Sequence, residues 1–363
     1  MKKEALTGTQ GSSLIILYLT GNAAIMALGS AAKEDFWLAI IGAVFLAWIV
    51  TLQLSYISSV YPGKNLFEIC ESLFGKIIGK FFVILFTFYT LQTGGIVLRN
   101  GTQFININGL PNTPIMLLMV VIMFLTVYLV KNGVKVMGRW AELLVIIFSL
   151  AIIILIIMAM PKMNLENIRP FLYRGIKPVI VSTFYTFGFP FGEIVTFSLV
   201  FSTFEKGEKV SKIYRNGLII GGAIMLATSL CSALVIGVEN MNATYYPTYF
   251  AATKVSIKSF LQRNEVVIAG VIVIASFTKT AIYLLASCIG IAKLFNCKDY
   301  KFIVTPVGII FMIWSFNLFK SVMELREWDL AVWKEFSLVF QVVLPTFIFI
   351  SAFIKKKIRG VSI

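Results

Sequence analysis

The sequence has no histidine in its 363 residues, so it lacks the side chain that most often acts as a general base, metal ligand or proton shuttle near neutral pH. Cysteine is scarce as well. The four cysteines show neither CxxC spacing nor a metal-like cluster: Cys70, Cys231, Cys288 and Cys297. We expect them to be packing residues. Hydrolytic chemistry is therefore disfavoured, and we expect no metal site and no cofactor.

Charged residues are also few. Only 13% of the residues are charged, against about 25% in soluble proteins, whereas 58% are hydrophobic and the mean hydropathy is +0.89. The excess of 32 basic over 17 acidic residues would suggest a nucleic-acid partner in a soluble protein, but here the basic residues are scattered between apolar runs. We therefore expect a lipid bilayer as the environment and no nucleic-acid partner.

Apolar segments of about 20 residues can cross about 30 Å of hydrocarbon, and the chain has ten candidates. They predict an all-α integral membrane protein in which residues 1–363 form one transmembrane domain. The predicted spans are 11–32, 36–61, 77–99, 114–130, 140–160, 179–203, 213–238, 265–292, 302–320 and 336–354. Division after the fifth span gives two five-helix repeats, 11–160 and 179–354. Because five is odd, the second repeat is inverted relative to the first.

The distribution of basic residues predicts a direction. Of the 32 basic residues, 19 fall on the side that holds both termini and 12 on the other, while Lys279 lies inside a span. We therefore expect cytoplasmic N- and C-termini in a multi-pass membrane protein. Three outer segments, 163–178, 245–262 and 321–335, mix apolar and charged residues. They are either interfacial segments or ordinary soluble loops.

Two predicted spans contain helix breakers near their midpoints. Gly21 and Asn22 fall near the middle of span 1, and Gly188, Pro190 and Gly192 lie close together in span 6. Proline removes a backbone donor and glycine relaxes the restriction on φ. Unpaired backbone groups in a bilayer cost several kcal/mol each unless they face protein, water or a ligand. The breaks thus predict a midplane binding site, with ordinary packing kinks as the alternative.

The free ends of broken helices suit an amino acid. The N-terminal end of a half-helix offers N–H groups to a carboxylate, and the C-terminal end offers carbonyl oxygens to an ammonium group. Each half of the chain opens with its broken helix, which is the arrangement expected of five-plus-five inverted-repeat transporters.

Two charged residues lie inside predicted spans. Glu193 closes the break in span 6, and Lys279 sits at the middle of span 8, too far from either end to reach water. Because an intramembrane charge is costly, we expect both side chains to face the bundle interior and to pair. The pairing predicts that substituting either residue alone harms function more than substituting both. Glu193 is also expected to cap the second half of span 6.

Polar and aromatic residues near the predicted midplane complete the candidate site, although each could instead form interhelical hydrogen bonds. The predicted ligand-binding residues are Thr20, Gly21, Asn22, Tyr89, Phe187, Gly188, Pro190, Gly192, Glu193, Thr278 and Tyr283. Gln92 is a further candidate because it lies three residues after Tyr89 on the same helix face. The predicted ion- or proton-coupling residues are Lys279 and Glu193, and no catalytic residue is predicted.

The sequence resembles a known family. The run Phe187-Gly188-Phe189-Pro190-Phe191-Gly192-Glu193, the Gly21-Asn22 break and the ten-span layout look like the bacterial spore germination permeases. These are the membrane-embedded B subunits of nutrient germinant receptors, within the amino acid-polyamine-organocation superfamily. The resemblance implies a LeuT-like fold in the spore inner membrane, a ligand between the breaks in spans 1 and 6, and separate A and C subunits as partners.

The resemblance also implies that the ligand is a small nutrient, typically an amino acid. In sodium-coupled relatives a cation sits between spans 1 and 8, and Lys279 could stand in for it here. Two functions then fit the same pocket, a ligand-sensing receptor subunit and a proton-coupled amino-acid permease. A third possibility is an assembly scaffold that binds no ligand. An intramembrane enzyme is disfavoured because it needs a nucleophile with its base, or a metal cluster, at one depth.

Overall fold

The computed structural model describes residues 5–21, 23, 26–202, 204, 205, 207–255 and 264–359. Regular structure in this part of the chain is helical, apart from one isolated bridge between Leu6 and Phe204. The α-helices are α1 (Gly8–Thr20), α2 (Phe36–Val60), α3 (Leu66–Asn108), α4 (Ile115–Lys131), α5 (Val134–Ala159), α6 (Ile176–Thr186), α7 (Thr196–Val200), α8 (Val210–Ile236), α9 (Val238–Ala243), α10 (Pro247–Lys254), α11 (Asn264–Leu294), α12 (Val304–Leu318), α13 (Val322–Ala331), α14 (Trp333–Leu338) and α15 (Leu344–Arg359).

The helical membrane architecture is confirmed. Seven helical segments of the described residues are long and apolar enough to cross a membrane, or eight if α12 and the bent helix after it form one span. The bounds of α2, α4, α8, α11 and α12 lie within three residues of the predicted spans. The count of ten stays a prediction, because α1 has 13 residues and α4 has 17.

Two helices begin with capping boxes at the end of the bundle that holds the N-terminus. The Thr7 hydroxyl accepts a hydrogen bond from the backbone N–H of Gln10 at 3.2 Å, and the Gln10 side chain accepts one from Thr7. Asn65 and Glu68 form the same reciprocal pair before α3, at 3.0 Å. Each box satisfies two N–H groups that a helix start leaves free. After one interruption at Gly75, where φ is +80°, α3 crosses the whole bundle.

Predicted span 1 is α-helical in its first half. The helix ends before Gly21, whose φ of −30° and ψ of −118° confirm the predicted break. Residues 26–29 form turns, and Ser30–Asp35 form a short 3-10 helix. The second helical half expected for this span is wrong for residues 26–29, because Gly29 has a φ of +74° that a right-handed helix cannot contain. Asn22 lies outside the described residues.

The predicted break in span 6 is confirmed. After α6, the backbone at Phe189 takes an extended conformation with φ −145° and ψ +120°. Pro190 follows and has no N–H to continue the helical ladder. The chain then makes a short turn, Gly192–Val195, before α7 resumes a regular helix. The two breaks thus divide both spans within the bundle.

The helices that carry these breaks lie inside the bundle. α1 contacts α5, α8 and α11, and α3 lies along α11, where the hydroxyls of Ser287 and Thr90 are 2.9 Å apart. α5 and α15 leave many large apolar side chains exposed, as expected for lipid contact. At the end opposite the N-terminus, here termed the α13 end, the axis turns by 96° between α12 and the helix that follows it. We place α13 outside the membrane-spanning segments.

Candidate functional site

A buried ion pair lies at the centre of the molecule. Glu193 and Lys279 both have fully buried side chains, and the Lys279 ammonium donates a hydrogen bond to Oε2 of Glu193. This geometry confirms the predicted pairing. The expected capping hydrogen bond is wrong among the described residues, because Oε2 of Glu193 pairs with Lys279 and Oε1 has no hydrogen-bond partner. Glu193 does lie in the first turn after the break, where the helix dipole favours an acid. Each charge is expensive without the other, since breaking such a pair typically costs about 3–5 kcal/mol.

Both chain breaks contribute to the surroundings of Lys279. Its Nζ lies 5.0 Å from the ring centre of Tyr18 in α1 and 4.6 Å from that of Phe189 in span 6. These are cation–π distances. The stem of the lysine lies against Gly21, where an added Cβ would be 2.9 Å from Cδ of Lys279. The lysine therefore joins α11 to both breaks.

Tyr18 connects α1 directly to span 6. Its hydroxyl donates a hydrogen bond to the backbone carbonyl of Glu193 at 3.2 Å and lies 2.9 Å from the hydroxyl of Thr196. The ring of Tyr18 is 5.4 Å from that of Tyr283 in α11. Sequence reasoning missed Tyr18 and Thr196. In the sequence, each is marked only as a polar group in an apolar run. Tyr18 lies three residues before the first break, and Thr196 lies three residues after Glu193.

Gln341 is a third residue that the sequence did not reveal. It is fully buried in the irregular turn Val339–Val343, and its Nε2 donates to the backbone carbonyl of Gly188 at 3.0 Å and to the Tyr89 hydroxyl at 3.2 Å. It thus satisfies a carbonyl at the break in span 6. An added Cβ at Gly192 would lie 2.1 Å from Oε1 of Gln341, so any larger residue there would displace Gln341 from this position.

A cavity of about 390 Å³ lies between the ion pair and the α13 end. It is lined by Met26, Ala27, Leu28, Gly29, Ser30, Ala31, Thr93, Ile96, Val97, Asn100, Ser182, Tyr185, Thr186, Phe189, Glu193, Asp329 and Trp333. Its size is in the range of small-molecule sites. We call it the α13-end cavity.

One carboxylate oxygen in this cavity is unsatisfied. Oε1 of Glu193 is buried and accepts no hydrogen bond of ordinary geometry from the described residues, although the Tyr283 side chain lies close to the carboxylate. A buried acceptor of this kind costs about 1–3 kcal/mol, and more when charged, unless something donates to it. Oε1 is therefore an acceptor that an ammonium, a hydroxyl or a water approaching it from the cavity would satisfy.

The structure brings together some predicted site residues and separates others. Phe187, Gly188, Pro190 and Gly192 form the break itself, and Tyr89 reaches it through Gln341. Of the predicted residues that the structure describes, only Glu193 lines the α13-end cavity.

Three candidates have partners elsewhere. The hydroxyls of Thr20 and Thr278 donate to carbonyls of their own helices, at 2.8 and 2.9 Å. The Gln92 side chain accepts a hydrogen bond from Nε1 of Trp314 in α12 at 3.1 Å, although it was expected to share a site with Tyr89.

A second cavity, of about 590 Å³, lies at the N-terminal end of the bundle. Its lining includes Leu285, Ile289 and Lys293 of α11. Lys279 lies six positions before Leu285 on the same helix, about 9 Å along its axis. The ion pair therefore lies between the two cavities.

Comparison with known proteins identifies the family. A family model for spore permeases, described as spore germination protein, matches residues 5–320. The chain belongs to the spore germination protein family. It is also 28% identical over 366 aligned positions to spore germination protein KB of Bacillus subtilis (strain 168), with 100% of this chain and 98% of that protein covered. The predicted family resemblance is confirmed.

Solved structures of two transporters share the fold of this spore germination family member. One is Mhp1, a nucleobase-cation-symport-1 family transporter in a closed conformation with bromovinylhydantoin bound; its TM-score is 0.72 at 12% identity, covering 96% of this chain and 78% of that one. The other is a Na⁺-coupled sialic acid symporter in a substrate-bound outward-open state, with a TM-score of 0.61 at 11% identity, covering 93% and 79%. The predicted LeuT fold is confirmed, and the neighbours are transporters rather than enzymes.

Proposed function

We propose that this chain is the membrane-embedded B subunit of a spore nutrient germinant receptor and binds a small germinant, an amino acid, in the α13-end cavity. The observation that carries the proposal is Oε1 of Glu193, a buried acceptor without a partner among the described residues, at a cavity of about 390 Å³. The transporter neighbours support it, because in this fold broken helices form the ligand site.

The proposal includes a location and partners. The chain would lie in the spore inner membrane with both termini in the cytoplasm, which makes the α13 end the outer side. A and C subunits of the receptor would complete the complex. The family membership and the distribution of basic residues support this arrangement. Deleting the chain in spores should abolish germination triggered by its amino acid while other triggers still work.

We expect at least one of the twenty standard amino acids to raise the midpoint of thermal unfolding of the purified full chain in lipid nanodiscs. A ligand at 100 times its Kd stabilises the folded state by about 2.7 kcal/mol. Glu193→Gln should weaken that binding at least tenfold, because it removes the charge on the unsatisfied acceptor. Glu166→Gln, at an exposed acid, is the matched control and should bind normally. If no amino acid shifts the wild-type protein, a scaffold role is favoured.

A proton-coupled amino-acid permease is the second candidate, and a specific observation favours it. The titratable pair Glu193 and Lys279 lies between two cavities at opposite ends of the bundle. Lys279 lies against Tyr18 and Gly21 of span 1, which supports a role for its ammonium in place of the cation of sodium-coupled relatives.

Transport assays in liposomes separate the two functions. We expect amino-acid binding to be the same with sodium or potassium as the only salt, since Lys279 supplies the positive charge. Counterflow of a radiolabelled amino acid should be absent for a sensing-only subunit, whereas robust uptake that responds to a proton gradient would establish the permease. A clear sodium requirement would contradict the role of Lys279. Lys131→Met, at an exposed lysine of α4 that lines neither cavity, serves as the control variant.

A further inference from the structure

The α13-end cavity is unusual in its charges. Two acidic residues, Glu193 and Asp329, line it, and no lysine or arginine is among the described residues of its lining. The charge of Glu193 is balanced by the buried ion pair with Lys279, which is not part of the cavity lining. Asp329 forms no ion pair with any described residue, although it is half-buried. Of the two acids in the lining, Asp329 is therefore the one without a basic partner among the described residues.

Aromatic side chains form the wall between these two acids. Phe189 and Trp333 pack edge to face with ring centres 6.5 Å apart, and Tyr185 also lines the cavity. The ammonium of Lys279 already lies 4.6 Å from the ring centre of Phe189, and the ammonium of Lys334 lies 5.5 Å from the ring centre of Tyr185. Trp333 has no such cation within the described part of the chain. Tryptophan is the aromatic side chain that attracts a cation most strongly.

These features discriminate between ligand charges. An anionic ligand would meet two carboxylates in the cavity and no lining cation to neutralise it, which is a repulsive arrangement of the kind that excludes wrong partners. A ligand ammonium would instead meet Asp329 next to the tryptophan ring. Ile96, Val97 and Met26 in the lining suit an apolar body.

We propose that Asp329, with Trp333 beside it, binds the ammonium group of the ligand, so that the cavity selects small primary amines with an apolar body and does not require a ligand carboxylate. The proposal rests on the proposed function, because it assigns the ligand class of the same cavity. It assigns the recognition of charge to α13, and not to the break that carries Glu193.

The titration of Asp329 supports this assignment. Burial and the negative charge of Glu193 raise the pKa of Asp329 to about 7. Tyr245, from the segment before α10, also lies within electrostatic reach of Asp329, and Arg326 on the same helix as Asp329 lies within electrostatic reach of Tyr245. Below pH 7 the carboxyl is protonated and offers no counter-charge; above pH 7 it is ionised. An amine should therefore bind about tenfold more tightly at pH 8 than at pH 6.

The experiment uses the full chain in nanodiscs and three probes with similar carbon skeletons: L-leucine, 3-methylbutylamine and 2-hydroxy-4-methylpentanoate. We expect the two probes with an ammonium group to bind and the hydroxy acid to bind at least tenfold more weakly. Asp329→Asn should weaken binding of the amine at least tenfold and flatten its pH dependence. Glu327→Gln, at an exposed acid of the same helix, is the matched control and should retain both.

The outcomes separate the two proposals. If the hydroxy acid binds as well as the amine, or if Asp329→Asn binds the amine normally, the assignment of Asp329 is overturned while the germinant-binding function stands. If neither these probes nor any of the twenty amino acids binds the wild-type protein, both proposals are overturned. Should Asp329→Asn fail to fold, the comparison of the three probes on wild type and the pH profile of amine binding decide the matter.

Discussion

Lys279→Met is expected to lower the free energy of unfolding by about 3–5 kcal/mol, because Glu193 would remain as an uncompensated charge in the interior. The side chains of both residues are fully buried, so water cannot replace the lost partner. Glu193→Gln should destabilise the protein in the same way by stranding the ammonium. Thermal and denaturant unfolding of the full chain in detergent, followed by tryptophan fluorescence, measures both effects.

The double variant gives the decisive comparison. Glu193→Gln combined with Lys279→Met removes both charges, and replacing a whole buried pair is often neutral or stabilising. We expect its stability to return close to that of wild type, and its ligand binding to exceed that of either single variant, because no charge is left stranded at the break. If the double variant lost as much free energy of unfolding as the two single variants together, the two charges would not be energetically coupled, which would contradict the pairing.

A matched control is available at the surface. Lys293 pairs with Glu71 at 2.8 Å, and both side chains are partly exposed. Exposed pairs contribute about 0–1 kcal/mol, so Lys293→Met should change stability little. A comparable loss in the two lysine variants would show that burial does not set the cost.

Local chemistry explains which parts of this site the sequence predicted. The break in span 6 was predictable because Pro190 lacks an N–H whatever the helix packs against. The pairing of Glu193 with Lys279 followed from the cost of a charge in lipid, which leaves a buried charge few ways to be satisfied. Both arguments depend on the residues alone.

Tertiary packing explains what the sequence did not predict. Gln341 is one amide within an apolar run, and only the close approach of span 10 to Gly192 gives it a role at the break. The sequence analysis described the segment of Asp329, residues 321–335, only as an outer interfacial segment or soluble loop. The bend between α12 and α13 brings Asp329 to the lining of the cavity. Periodicity carries no information about such long-range contacts.

Gly192→Ala is expected to damage both the fold and ligand binding. Gly192 has an ordinary φ of −70°, which alanine adopts without strain. The added methyl group would lie 2.1 Å from Oε1 of Gln341 and 3.0 Å from Cζ of Phe187. Gln341 must therefore move, and it would release the carbonyl of Gly188 from a 3.0 Å hydrogen bond.

The cost of Gly192→Ala has two parts, about 1–3 kcal/mol for overpacking and about 1–3 kcal/mol for the carbonyl left unpaired. Amino-acid binding should weaken at least tenfold, since the break that positions Glu193 is displaced. Adding Gln341→Ala removes the overlap but not the unpaired carbonyl, so it should restore stability in part and binding hardly at all.

Gly270→Ala is the control for this prediction, because an added Cβ there meets nothing within 4 Å. Alanine is the better helix former, so this variant should be as stable as wild type or up to about 1 kcal/mol more stable. If Gly192→Ala matched it in unfolding and in amino-acid binding, the approach of Gln341 to the break would not determine the shape of the site. Comparing Gly192→Ala with Gly270→Ala therefore shows whether glycine is required at the break by its packing, or is merely tolerated there as it is elsewhere in membrane helices.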